Sequence, residues 1–161
     1  MASGAKVADG VKELLDQMKV VKNDDNQKER IRFVVLYFKN GFIDVENVYR
    51  EQDLEGEDVF KFFVSLLKPK QCRYVMYDCH FETTETSKKE ELVFVLWAPD
   101  DSSIKDKLHC ASSKGALKDV IKGAKHDLQI NDFGECSSRM SFAEKLGKNI
   151  IKIEGASVTG V

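Results

Sequence analysis

Three histidines and four cysteines are the side chains of this chain best suited to metal binding or nucleophilic catalysis. Cys72, Cys79, His80, His109 and Cys110 could together supply four zinc ligands, but neither CxxC nor HxxxH spacing occurs. Cys79 and His80 are adjacent in a predicted strand and therefore point to opposite faces of a sheet. A Cys/His nucleophile pair would also need an orienting group and an oxyanion pocket, and no pattern identifies either. We expect no metal site, no cofactor and no enzymatic activity.

Lysines are concentrated in one stretch. Lys105–Lys125 contains six lysines and two aspartates, a local charge of +4, so the remainder carries about −6 within a net charge of −2. Such a distribution favours a local contact with an acidic partner over general attraction to nucleic acid or anionic membrane. The glycines are scattered and form neither GxxxxGK nor GxGxxG, so no phosphate-binding loop is predicted.

Two further charged positions stand out. Lys88-Lys89-Glu90-Glu91 precedes an apolar run and is either a solvated loop end or a second charged contact. His126, beside Lys125, is placed to change charge near about pH 6–7, although an exposed histidine without a role fits the sequence equally well.

A helix must position the lysines. After Pro99, Ser103 and Asp106 have the spacing of a capping box, so a helix is predicted from Ile104 to Lys122. It would have about 19 residues and a length of roughly 28 Å.

The predicted helix has two apolar faces when it is projected at about 100° per residue. The larger, uncharged face is predicted to be the core face, and it consists of Cys110, Ser113, Ala116, Leu117, Val120 and Ile121. The opposite strip lies among Lys105, Lys107, Lys114, Lys118 and Lys122, and it consists of Ile104, Leu108, Ala111 and Gly115, with Ser112 at its edge. Either another element partly covers this strip, or the strip docks into an apolar groove of a partner.

The other segments predict intermixed strands and helices. Asp9 is predicted to cap a first helix, and Asn40-Gly41 is a strong hairpin signal. Strands are predicted at Ile31–Phe38, Phe42–Val48, Cys72–Phe81, Glu91–Ala98, Asp127–Ile130 and Asn149–Ile153. Further helices are predicted at Val59–Leu67 and at Cys136–Leu146, the latter capped by Ser137 or Ser138 and closed by Gly147. This mixture indicates an α/β protein with a mostly antiparallel, partly mixed sheet.

The chain length and composition predict a single domain. Its 161 residues, 42% of them hydrophobic and 32% charged, can bury a core and remain soluble. MASGAKVADG lacks the apolar region of a signal peptide, and no run of 18 apolar residues is present. Because no export signal is predicted, we expect the cysteines to be reduced thiols and the protein to be cytosolic.

The stretch LVFVLWAPDDSSIKDKLHCASSKGALK resembles the actin-depolymerising factor (ADF)/cofilin family. Its vertebrate members carry a similar W-A-P, then K-x-K, then Y-A-S-S-K-D-A sequence. The resemblance continues in order along nearly the whole chain, in the MASG start, Gln17–Val20 (QMKV), Cys72–Asp78 (CRYVMYD), Glu82–Glu91 (ETTETSKKEE), Gly123–Gln129 (GAKHDLQ) and Phe142–Gly147 (FAEKLG).

This resemblance implies the ADF-homology fold, a central mixed sheet of five to six strands flanked by helices on both faces. It places the homology domain at residues 4–153 of a single domain spanning 1–161. It also implies a protein that binds monomeric actin, preferring its ADP form, binds along filaments, severs them and promotes subunit loss.

The resemblance assigns two actin-binding surfaces. The monomer-binding surface falls on Ser3, Gly4, Lys105, Lys107, Leu108, Ala111, Ser112 and Lys114. A filament-only surface falls on Lys88, Lys89, Glu91, Arg139 and Glu144.

Regulation is implied as well. Ser3 matches an inhibitory phosphorylation site that a kinase and a phosphatase control, and a phosphate adds about −1.5 to −2 charge. His126 matches a pH-sensing histidine with Glu91 as its partner. Phosphoinositide headgroups would bind in competition with actin at Lys105, Lys107, Lys118, Lys122 and Lys125.

The sequence departs from the family pattern at several positions. The basic run that vertebrate members use for nuclear import is interrupted here by Glu29 and Ile31, so we do not expect nuclear import. Val21 replaces an arginine, Asp106 a serine and Leu108 a methionine. Two alternatives stay open, a monomer-sequestering variant with weak severing and a phosphoinositide-binding signalling module.

Overall fold

One mixed sheet organises the protein. The computed structural model describes residues 6–19, 27–85, 87–118 and 121–159. Its strands are β1 (Lys6–Val7), β2 (Ile31–Lys39), β3 (Phe42–Arg50), β4 (Arg73–Thr83), β5 (Lys88–Trp97), β6 (His126–Ile130), β7 (Ile150–Ile153) and β8 (Ala156–Ser157). The helices are α1 (Asp9–Lys19), α2 (Val59–Ser65), α3 (Ile104–Ser113) and α4 (Arg139–Leu146). Short 3-10 turns occupy Gln27–Glu29, Glu51–Leu54, Lys114–Leu117 and Phe133–Glu135.

The sheet has the order β1-β3-β2-β4-β5-β6, and β7 pairs with the end of β4 and with β8. The β3-β2-β4-β5 centre is antiparallel, whereas β1 and β6 pair in parallel with β3 and β5. The predicted mixed sheet is confirmed. It has two more strands than predicted, β1 and β8, because two-residue strands leave no periodic pattern in a sequence.

The β2–β3 hairpin forms where the sequence predicts it. Asn40 and Gly41 have φ of 52° and 82°, as both central residues of a type I′ turn require. Strand β5 begins earlier than predicted, at Lys88, because Lys88 and Lys89 pair with Glu82 and Phe81 of β4. The charged segment before the apolar run is therefore part of a strand and not a loop end.

Helices cover both faces of the sheet. Helices α2 and α4 pack Phe60, Phe63 and Phe142 against one face, which includes Phe33 and Tyr77. Helices α1 and α3 pack on the other face, where the buried residues include Val11, Leu15, Met18, Cys110, Val34, Met76 and Phe94. We call these the α2/α4 face and the α1/α3 face. Because the sheet lies between two layers of helices, each helix packs on a fixed support.

Helix α3 is shorter than predicted. It ends at Ser113, and a 3-10 turn follows over Lys114–Leu117, so the prediction of one helix to Lys122 is wrong. The Ser112 hydroxyl donates to the Leu108 carbonyl at 2.7 Å, a back-bond that weakens a helix, and Gly115 has low helix propensity. The tighter turn changes the rotation of the following residues. Ala116, predicted in the core, is consequently exposed, while Leu117 is buried.

The helix caps largely follow the sequence. Ser103 Oγ accepts from the Asp106 amide at 3.1 Å, although the reverse bond of a capping box is not formed among the described residues. Ser138 caps α4 by accepting from the Ser141 amide, and Gly147 follows with a positive φ. Asp9 was predicted outside α1 but is its first residue.

Candidate functional site

Helix α3 is held firmly on the sheet by its inner side. Cys110 and Ser113 are buried there, and the Tyr74 hydroxyl donates to the Cys110 carbonyl at 2.6 Å. The preceding turn is held by Ser102, which donates to the Pro99 carbonyl at 2.6 Å and contacts Cys72 Sγ at 3.3 Å. The outer side of α3 is thus presented by a rigid support.

The outer side of α3 carries an uncovered apolar strip. Ile104 is 76% exposed and Leu108 is 62% exposed, and Ala111, Ser112 and Gly115 are exposed beside them. No element among the described residues covers these side chains, so the alternative of a covered helix is wrong for this part of the chain. We call Ile104, Leu108, Ala111, Ser112 and Gly115 the α3 strip.

The lysines around the α3 strip differ in whether their ammonium groups are bonded within the protein. Lys105 and Lys118 are exposed and form no ion pair with a described residue. Lys107 Nζ donates to the Asp100 carbonyl at 2.9 Å. Lys114 pairs with Asp127 at 2.8 Å and lies 5.9 Å from the Phe94 ring centroid. Lys105 in the first turn of α3 and Lys118 after the 3-10 turn are therefore the freer positive charges, and Lys122 and Lys125 continue the exposed basic surface beyond the helix.

The predicted pH-sensing pair is formed. His126 Nε2 lies 2.9 Å from Glu91 Oε1, and both side chains are largely buried. Glu91 lies two residues before Val93, and His126 lies two residues before Leu128, so both point to the α2/α4 face. Lys88 and Lys89 are exposed at the start of the same strand as Glu91. The pair lies on the opposite side of the sheet from the α3 strip.

Arg139 is engaged within the protein. Its side chain is only 13% exposed, and its Nη2 pairs with Asp58 Oδ1. Its Nε donates to the Ile153 carbonyl at 3.0 Å, and its guanidinium lies 5.2 Å from the Phe60 ring centroid. Burial alone would raise the pKa of Asp58, but the hydrogen bond from Arg139 lowers it below the usual value. Arg139 therefore links α4, α2 and β7.

Two exposed apolar side chains on α4 and β7, two of the elements that Arg139 links, were not predicted as site residues. Met140 on α4 is exposed, and so is Ile151 on β7. The core positions of α4 are Phe142, Ala143 and Leu146, and Met140 lies off that face in a helical projection. This position off the core face is the sequence signal that could have identified Met140 as exposed. Glu144 is also exposed on α4.

Several predicted positions lie outside the described residues: Ser3, Gly4, Val20, Val21 and Val120. All four cysteines are buried and free. Burial raises the pKa of Cys110 and that of Cys136 to about 12, so neither thiol is poised for nucleophilic chemistry. Within the described ranges no cluster of three or more histidine, cysteine or carboxylate side chains could hold a metal. The helices described there are also too short or too polar to cross a membrane.

Comparison with known proteins gives a consistent result. Residues 6–147 match the model of a family described as cofilin/tropomyosin-type actin-binding protein. A cofilin structure from Streptomyces griseoflavus superposes with a TM-score of 0.72 at 26% identity, covering 89% of this chain and all of that one. Actin depolymerization factor 2 of Plasmodium berghei gives a TM-score of 0.75 at 26% identity, with 91% and 99% covered. The ADF-like UNC-60A protein of Caenorhabditis elegans gives 0.70 at 26% identity, with 92% and 97% covered.

Proposed function

Because the chain belongs to the cofilin/ADF family of actin-binding proteins, we propose that it binds both monomeric and filamentous actin, severs and depolymerises filaments, and so regulates filament turnover. The observation that carries this proposal is the α3 strip, an exposed apolar surface on a rigid helix surrounded by lysines. An amphipathic helix of this kind fits an apolar groove, while its basic border fits acidic groups on the same partner. No catalytic step is part of this function.

The monomer-binding surface is proposed at Lys105, Lys107, Leu108, Ala111, Ser112 and Lys114, together with Ser3 and Gly4. The position of Lys105 supports this assignment, because an exposed lysine that forms no ion pair with a described residue can pair with an acidic surface. Lys114 would have to exchange its bond with Asp127 for one with actin. Lys105 and Lys107 should therefore contribute more than Lys114.

A separate filament-binding surface is proposed at Lys88, Lys89, Glu91 and Glu144. Lys88, Lys89 and Glu144 are exposed and lie on β5 and α4, away from the α3 strip. Arg139 belongs to this surface through its effect on the position of α4 and β7, since its guanidinium is bonded within the protein.

A monomer-sequestering protein with weak severing is the second candidate. The internal bonding of Arg139 favours it, because that bonding removes one positive charge from the proposed filament surface. Both candidates predict monomer binding, and they differ in the number of new filament ends produced.

Regulation is proposed at three places. Phosphorylation of Ser3 would place negative charge against an acidic partner, and the His126–Glu91 pair would respond to pH. Phosphoinositides would compete with actin at Lys105, Lys107, Lys118, Lys122 and Lys125. The protein would act on the actin cytoskeleton of the cytoplasm.

Co-sedimentation with actin filaments tests the main proposal. The parent protein should pellet with filaments, and a Lys105→Ala/Lys107→Ala variant should pellet much less. A Lys12→Ala/Lys148→Ala variant is the matched control, since Lys12 is exposed on α1 and Lys148 is exposed in the loop after α4. A parent that stays in the supernatant, or a Lys105/Lys107 variant that pellets as the parent does, would contradict the proposal. Counting filament ends by fluorescence microscopy separates severing from sequestration.

A further inference from the structure

A pocket of about 460 Å³ opens on the α2/α4 face, on the side of the sheet away from α3. Its apolar wall is formed by Val35, Tyr49, Phe62 and Leu66, and polar side chains border it. Tyr49 and Phe62 contact each other edge to face, with ring centroids 4.8 Å apart. The volume falls within the range of about 300–1,000 Å³ that is typical of pockets for small groups.

A β-bulge forms one side of this pocket. Val35 pairs with Asn47 and Leu36 pairs with Val45, so Glu46 is an extra residue in β3. Glu46 and Asn47 both line the pocket as a result. Bulges redirect side chains in this way and are frequent beside binding sites.

The Glu46 carboxylate, which the bulge directs toward the pocket, forms a pocket wall that Arg73 holds in place. It accepts from Arg73 Nε and Arg73 Nη2, each at 3.0 Å. The Arg73 guanidinium in turn lies 5.6 Å from the Tyr37 ring centroid. Because the two charges compensate each other, this wall adds shape to the pocket and little net charge.

Strand β3 has an open edge beside the pocket. Strand β1 pairs only with Phe42 and Ile43, and among the described residues no strand pairs with the outer edge from Asp44 to Arg50. Within this edge the Val45 amide donates to Asp44 Oδ1 at 2.7 Å and the Arg50 amide donates to Asp53 Oδ2 at 2.8 Å. An added strand would use the backbone groups between them and displace these side-chain bonds. An extended peptide on this edge would direct alternate side chains toward the pocket.

The border of the pocket is basic. Lys68 lines the pocket and Lys70 lies two positions further along the same loop; both are exposed, and neither forms an ion pair with a described residue. The loop is held in place by Trp97 Nε1, which donates to the Lys68 carbonyl at 2.7 Å. Together with the Glu46–Arg73 pair this region carries a charge of +2, whereas the whole chain carries −2. Charge complementarity therefore favours an acidic occupant.

We propose that the open edge of β3 binds an extended acidic segment of a partner protein. The segment adds a strand next to Asp44–Arg50, places one large apolar side chain in the pocket, and brings its carboxylates to Lys68 and Lys70. Backbone hydrogen bonds supply affinity in this mode, and the pocket supplies specificity. Since this surface is on the opposite face from the α3 strip, the partner and monomeric actin can be bound together.

Nuclear magnetic resonance with a defined probe tests this site. The acetylated and amidated peptide Glu-Glu-Leu-Phe-Glu-Glu is titrated into the 15N-labelled full chain. Backbone amide shifts are expected in residues 44–50 and 62–73. A peptide with alanine in place of leucine and phenylalanine should bind much more weakly, and one with lysine in place of glutamate should not bind.

Three variants complete the test. Lys68→Glu/Lys70→Glu should raise the dissociation constant of the probe peptide by at least about tenfold. Each exposed ion pair contributes up to about fivefold in affinity, and charge reversal adds repulsion. Lys12→Glu/Lys148→Glu has the same change in net charge elsewhere and should bind as the parent does. Ser65→Trp places a ring at the exposed pocket mouth. It should weaken binding of the probe peptide although both lysines are retained.

The site is rejected if the amide shifts concentrate in α3, if residues 44–50 do not shift, or if the two charge-reversal variants bind equally well. Actin co-sedimentation of Lys68→Glu/Lys70→Glu should equal that of the parent. A loss of actin binding in this variant would contradict the separation of the two surfaces, whereas failure of the probe alone would leave the actin proposal intact.

Discussion

Replacing Leu108 with alanine measures the contribution of the α3 strip directly. The substitution removes three carbons, worth about 0.8 kcal/mol each when they pass from water into an apolar groove. Only the 62% of the side chain that is exposed can be newly buried by a partner, which leaves about 1.5 kcal/mol. Actin-monomer binding should therefore weaken by roughly tenfold.

The same substitution should leave folding almost unchanged. Exposed positions away from special features alter the free energy of unfolding by about 0.5 kcal/mol or less. Leu117→Ala provides the contrast, because Leu117 is fully buried under the same segment and its truncation should cost about 2–5 kcal/mol of stability.

Two measurements on each variant test this reasoning. Fluorescence titration with labelled actin monomer gives the dissociation constant, and urea unfolding followed by circular dichroism gives the stability. Ile151→Ala is the control for loss of an exposed apolar side chain, since Ile151 is 39% exposed on β7, away from α3. The reasoning is refuted if Leu108→Ala binds actin as tightly as the parent, or if Ile151→Ala weakens monomer binding equally.

Four further outcomes are expected. Arg139→Ala should lower the free energy of unfolding by about 1–3 kcal/mol, because it removes charged hydrogen bonds between α4, α2 and β7. Glu144→Ala should be neutral in the same urea titration. Equal stability of the two variants would argue against an internal role for Arg139. The Asp58 pKa is lowered in the folded protein, so its stabilising contribution is fully present above the unfolded value of about 3.9 and is lost as the pH falls through the lower folded value. Urea midpoints should accordingly depend less on pH between about pH 5 and 3 in Asp58→Asn than in the parent. Ser3→Glu should weaken monomer binding in the fluorescence titration, and parent-like affinity would exclude the switch. His126→Ala should abolish any difference in severing between about pH 6.5 and 7.5, and a parent that severs equally at both values would remove the sensor role.

The sequence predicts this fold wherever the determining interactions are local. The Asn40-Gly41 turn lies between two β-branched and aromatic runs, so hairpin and register follow from neighbouring residues. The spacing of Phe60, Phe63, Val64 and Leu67 correctly indicates a helix even though the segment is short.

Other features depend on contacts between distant parts of the chain. Arg139 reads as an exposed helix residue because its partner Asp58 is 81 positions away. The end of α3 at Ser113 is a local exception, where the Ser112 back-bond and Gly115 weaken the helix among good helix-forming lysines. The bulge at Glu46 is invisible without the pairing of β3 with β2, and the pocket is therefore invisible as well. The α3 strip was found, but only the packed structure shows that it stays uncovered.

The His126–Glu91 pair and the α3 strip lie on opposite faces of one sheet, so the proposed pH response is separated from the apolar docking surface. A packed layer is about 10 Å thick, and exposed charges are screened over about 8 Å in physiological salt. Protonation at His126 can then change the α2/α4 side with little direct effect on the lysines of α3. Distant, independent sites contribute additively to free energy. Protonation at His126 and a change in the α3 strip such as Leu108→Ala should therefore alter the free energy of actin binding independently, so that their combined effect on the dissociation constant is the product of the two separate effects.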